Sequence, residues 1–137
     1  MMVTLPSDPE LVERAAGLLN PHRVGDRLFG NVASVVISEG GNLYGGVCID
    51  TGSGTGFCAE HAAIASMVTA GEYRIRRVVA VWRADDGELF VLPPCGRCRE
   101  FIQQIDSTNL DAQVILGRER RIALRELLPW TDWPDPY

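Results

Sequence analysis

The segment VASVVISEGGNLYGGVCID, residues 32–50, decides the fold. Its first part, Val32 to Ser38, is rich in Val and Ile, which favour strands. Glu39-Gly40-Gly41-Asn42 has the residue types of a turn, and Leu43 to Asp50 can form a second strand. We therefore predict that an antiparallel hairpin begins the sheet.

Helices and strands alternate around this hairpin. Ser7-Asp8-Pro9-Glu10 has the form of a capping box, and it predicts a helix that ends at Asn20-Pro21. The alanine-rich run from Phe57 to Met67 predicts a second helix. The other predicted elements are strands at 78–82, 89–92 and 112–116, a helix at 96–104 and a short final helix at 122–128. This order predicts an α/β fold, a three-layer α/β/α sandwich with a mixed five-stranded sheet, as a single domain over residues 1–137.

The composition limits the classes of partner. A chain of 137 residues can bury a core, and no apolar run reaches the length of a membrane span. The first ten residues lack a charged and then apolar leader, so we expect a cytoplasmic protein. The net charge of −5 argues against polymeric nucleic acid, because proteins that bind it display a basic stripe. We expect a small-molecule substrate, neutral or cationic, and no membrane partner.

Three of the four cysteines form a pattern typical of a metal site. Cys58 follows a glycine-rich loop and Cys95 follows Pro93-Pro94, so each stands where a predicted helix begins, which favours the thiolate that a metal needs. Cys95 and Cys98 have the spacing of paired zinc ligands. Together with Cys58 they give three ligands, and a catalytic zinc keeps its fourth position for water. Glu60 follows Cys58 closely enough to accept the proton of that water.

Two other interpretations of the cysteines stand beside this one. Cys95 and Cys98 could form a redox pair, which is common for this spacing in a reducing compartment. Cys48 is more typical of a small buried side chain than of a ligand. As a fourth ligand it would close the site to water, and the zinc would then be structural.

Two motifs carry a resemblance to a known family. Cys58-Ala59-Glu60, followed by Pro94-Cys95-Gly96-Arg97-Cys98-Arg99, resembles the signature of the cytidine deaminase superfamily. The resemblance extends from Val32 to Pro129, and the second motif together with Glu126-Leu127-Leu128-Pro129 is similar to the blasticidin S deaminase branch. It implies a Zn²⁺ cofactor and a hydrolytic deamination. In that reaction Glu60 carries protons from water to ring N3 and to the departing amine, which leaves as ammonia.

The resemblance also implies roles for residues around the metal. The backbone at Ala59 would hold the amide edge of the pyrimidine. His61 either donates to a zinc-bound thiolate or faces a neighbouring subunit, and Arg97 and Arg99 are further candidates to offset the thiolate charge. A homotetramer is implied, in which an aromatic residue near the C-terminus reaches the base pocket of an adjacent subunit. Trp130 is the candidate for that residue, and Trp133 lies in the same segment.

The chain departs from the family pattern on the second strand. Cytidine deaminases typically carry Asn-x-Glu there to hold a sugar hydroxyl, whereas this chain has Cys48-Ile49-Asp50. Cysteine lacks the hydrogen bonds of an amide and Asp50 is shorter than glutamate, so these candidate substrate-binding residues do not assure ordinary cytidine as the substrate. Three hypotheses follow. The chain is a deaminase of cytidine, deoxycytidine or a modified cytosine nucleoside, a deaminase that detoxifies blasticidin S, or a zinc-stabilised binding module without catalysis.

Overall fold

The computed structural model describes residues 4–132 and 136–137. The helices are α1 (Asp8–Ala16), α2 (Ala59–Thr69), α3 (Gly96–Ile105) and α4 (Leu124–Leu127), with a 3-10 helix at Ser107–Asp111. The strands are β1 (His22–Val24), β2 (Arg27–Phe29), β3 (Val32–Ser38), β4 (Leu43–Val47), β5 (Ile75–Arg83), β6 (Leu89–Leu92), β7 (Gln113–Gly117) and β8 (Arg120–Ala123). Over the described ranges, no helix combines the length and the apolar character that crossing a membrane requires.

A mixed six-stranded sheet lies between the helices. Its strands run in the order β4-β3-β5-β7-β8, and β6 pairs with the last residues of β5. β3 is antiparallel to both β4 and β5, whereas β5 and β7 are parallel. The predicted opening hairpin and the mixed sheet are both confirmed.

Alternate residues of the central strands face two apolar cores, because successive strand side chains point to opposite faces. Val36 and Val78 belong to the core that also contains residues of α2, α3 and α4. Their neighbours Val35 and Val79 belong to the other core, with Leu11 of α1. Helices therefore cover both faces of the sheet, which confirms the three-layer prediction.

The N-terminal helix begins as the sequence predicts. The backbone N–H of Glu10 donates to Ser7 Oγ at 3.2 Å, and the backbone N–H of Ser7 donates to the Glu10 carboxylate at 3.1 Å. This capping box satisfies donors that have no partner inside the helix. The helix ends at Ala16, earlier than the Asn20-Pro21 stop that the sequence indicated.

The structure also corrects the prediction for two further elements. The exposed β1–β2 hairpin was not predicted, although Gly25, which has a φ of 62°, is the kind of residue that such a turn requires. Residues 120–123 form β8, where the prediction began its final helix at Ile122. Ile122 pairs with Val114 of β7, so its apolar side chain belongs to a strand, and α4 begins only at Leu124. The central sheet consequently has six strands where five were predicted.

A glycine on β4 lets α2 lie against the sheet. A Cβ at Gly46 would lie 2.5 Å from Ala62 Cβ and 2.6 Å from the Ala63 backbone nitrogen, closer than real Cβ contacts allow. Because α2 begins at Ala59, this close approach also fixes where Cys58 and Glu60 stand.

Candidate metal centre and active site

Two helix N-termini bring the cysteines together. Cys58 is the N-cap of α2 and Cys95 is the N-cap of α3, as the sequence predicted. Neither side chain makes a capping hydrogen bond, so both sulfurs remain available to a metal. Cys98 lies in the first turn of α3 and is fully buried. The partial positive charge of both helix ends favours thiolates at this point.

The three sulfur atoms have the geometry of a metal-binding cluster. The Sγ atoms of Cys58 and Cys95 are 3.5 Å apart, those of Cys95 and Cys98 are also 3.5 Å apart, and all three lie within 4.8 Å of one another. Tetrahedral zinc with Zn–S bonds of about 2.3 Å separates its sulfur ligands by about 3.8 Å. The donor set therefore fits Zn²⁺. Among the described residues, Cys48 is not part of this cluster, so the cluster offers three protein ligands, and a zinc ion held by three ligands would keep a fourth position for water.

Burial and neighbouring groups shift the pKa values of these thiols. Burial raises the pKa of Cys58, and burial followed by the Glu60 carboxylate raises the pKa of Cys98 far above its ordinary value. Burial also acts to raise the pKa of Cys95, but hydrogen bonds from the backbone and thiol of Cys98 lower that pKa overall. Because a metal binds the thiolate form, loading the site releases protons.

Glu60 stands beside the cysteines in the first turn of α2. Only 5% of its surface is exposed, and it lines a cavity together with Cys58 and Cys95. Burial raises the pKa of Glu60, and hydrogen bonds from its own backbone N–H and the Cys98 thiol only partly oppose that rise. A carboxyl group with a raised pKa can both accept and return a proton near neutral pH.

His61 contacts the buried ligand. Its Nδ1 lies 3.5 Å from Cys98 Sγ, and its ring stacks on Phe101 with centroids 4.2 Å apart and an interplanar angle of 23°. Burial lowers the pKa of His61, and the Arg97 guanidinium lowers it further, so both favour the neutral imidazole. A neutral imidazole carries one N–H, which at Nδ1 would point to the thiolate.

The two arginines of the second motif donate to backbone carbonyls. Arg97 Nη1 donates to the Gly56 carbonyl at 3.0 Å, which ties α3 to the glycine-rich loop before Cys58. Arg99 Nε donates to the Pro94 carbonyl at 2.8 Å, and its Nη1 donates to the Leu127 carbonyl at 3.2 Å. These contacts hold the two cysteine-bearing turns in place. Of the three candidates to offset the thiolate charge, His61 is the one whose side chain lies next to a ligand sulfur.

A cavity of about 510 Å³ opens beside the cluster. It collects most of the residues that the sequence analysis singled out: Cys48, Asp50, Cys58, Ala59, Glu60, Cys95 and Arg97. Its apolar lining includes Val32, Ile49, Phe57, Ala80 and Leu92. A flat ring would be bounded by these apolar side chains, with the thiols and Glu60 available to its reacting edge.

Some of the expected functional residues lie outside this cavity, and the cavity wall includes a polar residue that the sequence analysis did not single out. Trp130 is 90% exposed and does not line the cavity, and Trp133 lies outside the described residues. Asn31, which precedes β3, does line it, and its Oδ1 accepts a hydrogen bond from Cys48 Sγ at 3.0 Å. The only sequence signal for Asn31 is that it stands at the start of a strand whose partner strand leads to Cys48.

Solved structures share this fold. The cytidine deaminase from Mycobacterium leprae is 24% identical to this chain, with a TM-score of 0.71 over 88% of this chain and 95% of that one. The cytidine deaminase from Burkholderia pseudomallei is 21% identical, with a TM-score of 0.72 over 90% and 98%. The cytidine deaminase from Bacillus anthracis is 22% identical, with a TM-score of 0.71 over 90% and 87%. No curated protein matches the sequence significantly.

The sequence also matches a protein family over most of its length. The family described as "Cytidine and deoxycytidylate deaminase zinc-binding region" matches residues 8–112, a range that contains all three cysteines of the cluster and Glu60. The cluster that the fold assembles is thus the kind of site that the family's description names. This chain belongs to the cytidine and deoxycytidylate deaminase zinc-binding family, with Cys58, Cys95 and Cys98 positioned to bind the metal ion.

Proposed function

We propose that this chain is a zinc-dependent hydrolytic deaminase that converts the exocyclic amine of a cytosine nucleoside to a carbonyl group. The observation that carries the proposal is that buried Glu60 and two sulfurs of the three-cysteine cluster, those of Cys58 and Cys95, line one cavity. The family match supports the same chemistry.

Glu60 would be the proton carrier of the reaction. Cys58, Cys95 and Cys98 would hold the Zn²⁺, which when bound would lower the pKa of a water molecule and so supply a nucleophile near neutral pH. The Glu60 carboxylate takes one proton of the water and gives it to ring N3 while the oxygen adds to C4. It then takes the second proton and gives it to the amine. The C4–N bond breaks, ammonia leaves, and the carboxylate returns to its starting state.

The backbone of Ala59 would hold the reacting ring. Ala59 is the first residue of α2 and lines the cavity. The first N–H groups of a helix have no partner within the helix, so they can donate to a ring carbonyl. This contact would place the amine-bearing carbon beside Glu60.

His61 would stabilise the metal site through Cys98. Three thiolates and Zn²⁺ together carry a net negative charge, and part of it lies on a buried sulfur. The His61 N–H, held by the stack on Phe101, can donate to that sulfur and reduce the charge.

A second candidate function is deamination of blasticidin S. It is supported by the resemblance of the Pro-Cys-Gly-Arg-Cys-Arg and Glu-Leu-Leu-Pro motifs, and Asp50, an exposed carboxylate at the cavity, suits a cationic substituent. The third hypothesis, a zinc-stabilised module without catalysis, would need no buried carboxyl group beside the cluster.

Ammonia release from a panel of amines tests these candidates. Zinc-loaded protein is incubated with cytidine, deoxycytidine, cytosine, adenosine and blasticidin S. We expect release from cytidine or deoxycytidine, and we expect a Glu60→Ala variant to keep its zinc and lose turnover. Release from blasticidin S alone favours the second candidate. A zinc-loaded protein that releases no ammonia from any of them contradicts the enzymatic proposal.

We also propose a homotetramer in which Trp130 enters the pocket of an adjacent subunit. The support is its 90% exposure, which is unusual for a large aromatic side chain without a partner. Sedimentation at micromolar concentration should give a tetramer, and a monomer would remove the role of Trp130.

A further inference from the structure

A second cavity lies on the α1 side of the sheet, where the turn between β7 and β8 meets the start of α1. Its volume is about 460 Å³, and none of its described lining residues belongs to the metal cavity. Four guanidinium groups and two carboxylates line it: those of Arg77, Arg118, Arg120, Arg121, Asp8 and Glu119. The lining therefore has two positive charges in excess, although the whole chain has a net charge of −5.

Arg77 is the buried member of this group. Only 6% of its surface is exposed, its Nη1 lies 2.7 Å from Asp8 Oδ1, and its Nη2 donates to the Pro6 carbonyl. Arg121 Nη1 lies 3.2 Å from the same Asp8 oxygen. One carboxylate thus serves two guanidinium groups. Because a buried charge is costly without full compensation, this arrangement favours a second anion.

The turn between β7 and β8 adds two further guanidinium groups. Among the described residues, neither Arg118 nor Arg120 forms a salt bridge, and Glu119 between them forms none either. The α1 N-terminus is not needed to attract an anion, because Ser7 and Glu10 already cap it. Guanidinium groups bind phosphate through paired N–H donors. A phosphomonoester has a charge of about −1.5 to −2 at pH 7, which matches the excess positive charge of the lining.

An apolar cavity of about 380 Å³ adjoins the arginine-lined cavity. The two cavities share Asp8, Pro9 and Arg118. The apolar lining of the second cavity includes Val12, Leu89, Val91 and Leu116. A ligand whose phosphate contacts the arginines can therefore place an apolar substituent against these side chains, and the burial of that substituent would add to its affinity.

We propose that the arginine-lined cavity is a binding site for a small phosphomonoester whose other end is apolar. The phosphate contacts Arg118, Arg120 and Arg121, and the apolar end lies between α1 and β6 in the adjoining cavity. Arg77 is a positioning residue, because it holds the Asp8 carboxylate to which Arg121 is bound. The site goes beyond the proposed function and does not rest on it.

Calorimetry on the zinc-loaded protein tests the site with phenyl phosphate, inorganic phosphate and phenyl sulfate. Phenyl phosphate should bind most tightly, because inorganic phosphate lacks the apolar end and phenyl sulfate has only one negative charge. The double variant Arg118→Ala/Arg120→Ala should weaken phenyl phosphate about tenfold or more, since it removes charge-assisted hydrogen bonds. The matched control is Arg14→Ala/Arg23→Ala. It removes two exposed arginines elsewhere, changes the net charge equally and should leave the Kd unchanged.

A variant on α1 tests the apolar cavity. Val12→Ser replaces two methyl groups by a hydroxyl group. It should weaken phenyl phosphate about fourfold, the scale of one buried methylene group, and leave inorganic phosphate unchanged. Circular dichroism and zinc content should match the wild type in every variant, because none of the substituted residues lines the metal cavity.

Each part of the proposal has a result that overturns it. Equal weakening of phenyl phosphate by the two arginine double variants would mean that only net charge attracts the probe, and no weakening by either would place the probe elsewhere. Both results overturn the site, as does a wild-type protein without measurable binding. Inorganic phosphate that binds as tightly as phenyl phosphate overturns the role of the apolar cavity. Equally tight phenyl sulfate overturns the assignment to a phosphomonoester. All of these results leave the proposed deamination standing, since the two sites share no described residue.

Discussion

The candidate site has two sides that are built in different ways. The metal side, defined as Cys58, Glu60, Cys95 and Cys98, comes from two helix N-termini, and each helix supplies its residues within four positions of sequence. The strand side, defined as Asn31, Cys48 and Asp50, depends on a contact between residues 17 positions apart. The metal side can therefore be recognised in short motifs, whereas the contact on the strand side exists only once two strands are paired.

The largest expected effect is a loss of zinc, which a substitution on the metal side should cause and a substitution on the strand side should not. Cys98→Ala removes a buried ligand and should abolish stoichiometric zinc binding and turnover, because a site of two thiolates binds zinc far more weakly. Cys48→Ala should keep one zinc per chain, since Cys48 is outside the cluster. Elemental analysis of the purified variants measures both. Loss of zinc from Cys48→Ala would show that the strand side contributes to metal binding. It would contradict the distinction between the two sides.

The next effect tests how β4 positions the metal side. Gly46→Ala places a Cβ against the backbone of α2 and should destabilise the fold by about 1–3 kcal/mol, the usual cost of overpacking, and lower kcat as well. Gly45→Ala is the matched control on the same strand. Its Cβ would approach Leu18 Cδ1 to 2.4 Å, the end of a side chain that can turn away, and the Ser34 carbonyl oxygen only to an ordinary contact of 3.6 Å. Urea unfolding compares the two, and equal stability would show that α2 does not need the close approach.

A smaller effect concerns the histidine beside Cys98. His61→Leu removes the donor to the sulfur and should lower zinc affinity about 10–100-fold, the range for groups that support metal ligands. In the Co²⁺-substituted protein, the sulfur-to-metal charge-transfer band should move to lower energy, a change that a purely structural role would not cause.

Two further variants show whether the changes in zinc affinity and in the charge-transfer band depend on the donor at His61. His61→Asn places an amide near the position of Nδ1 and should restore both the affinity and the band. His22→Leu, at the exposed β1 strand, is the matched control and should alter neither. An unchanged spectrum in His61→Leu would mean that the histidine only packs against Phe101.

Most of the fold could be predicted because local patterns agreed with the tertiary structure. The capping box at Ser7, the strand from Val32 and the cysteine-capped helices are each decided within a few residues. The final helix was predicted too early because an apolar residue such as Ile122 suits a helix stripe and a strand equally well. Only its pairing with Val114 decides between them.

The candidate site was predictable to the extent that its residues share motifs. Cys58, Cys95 and Cys98 cluster as the sequence indicated, and Glu60 lines the same cavity. Asn31 belongs to no motif, and its relation to Cys48 exists only once β3 and β4 are paired in register.

One comparison tests the central claim most directly: kcat for ammonia release from cytidine by the wild-type protein and by Glu60→Gln, with zinc measured in both. Glutamine keeps the shape of the side chain but cannot carry a proton, so kcat should fall by about 10²–10⁴ while zinc stays at one per chain. An unchanged kcat at equal zinc content would contradict the assignment of proton transfer to this buried carboxylate.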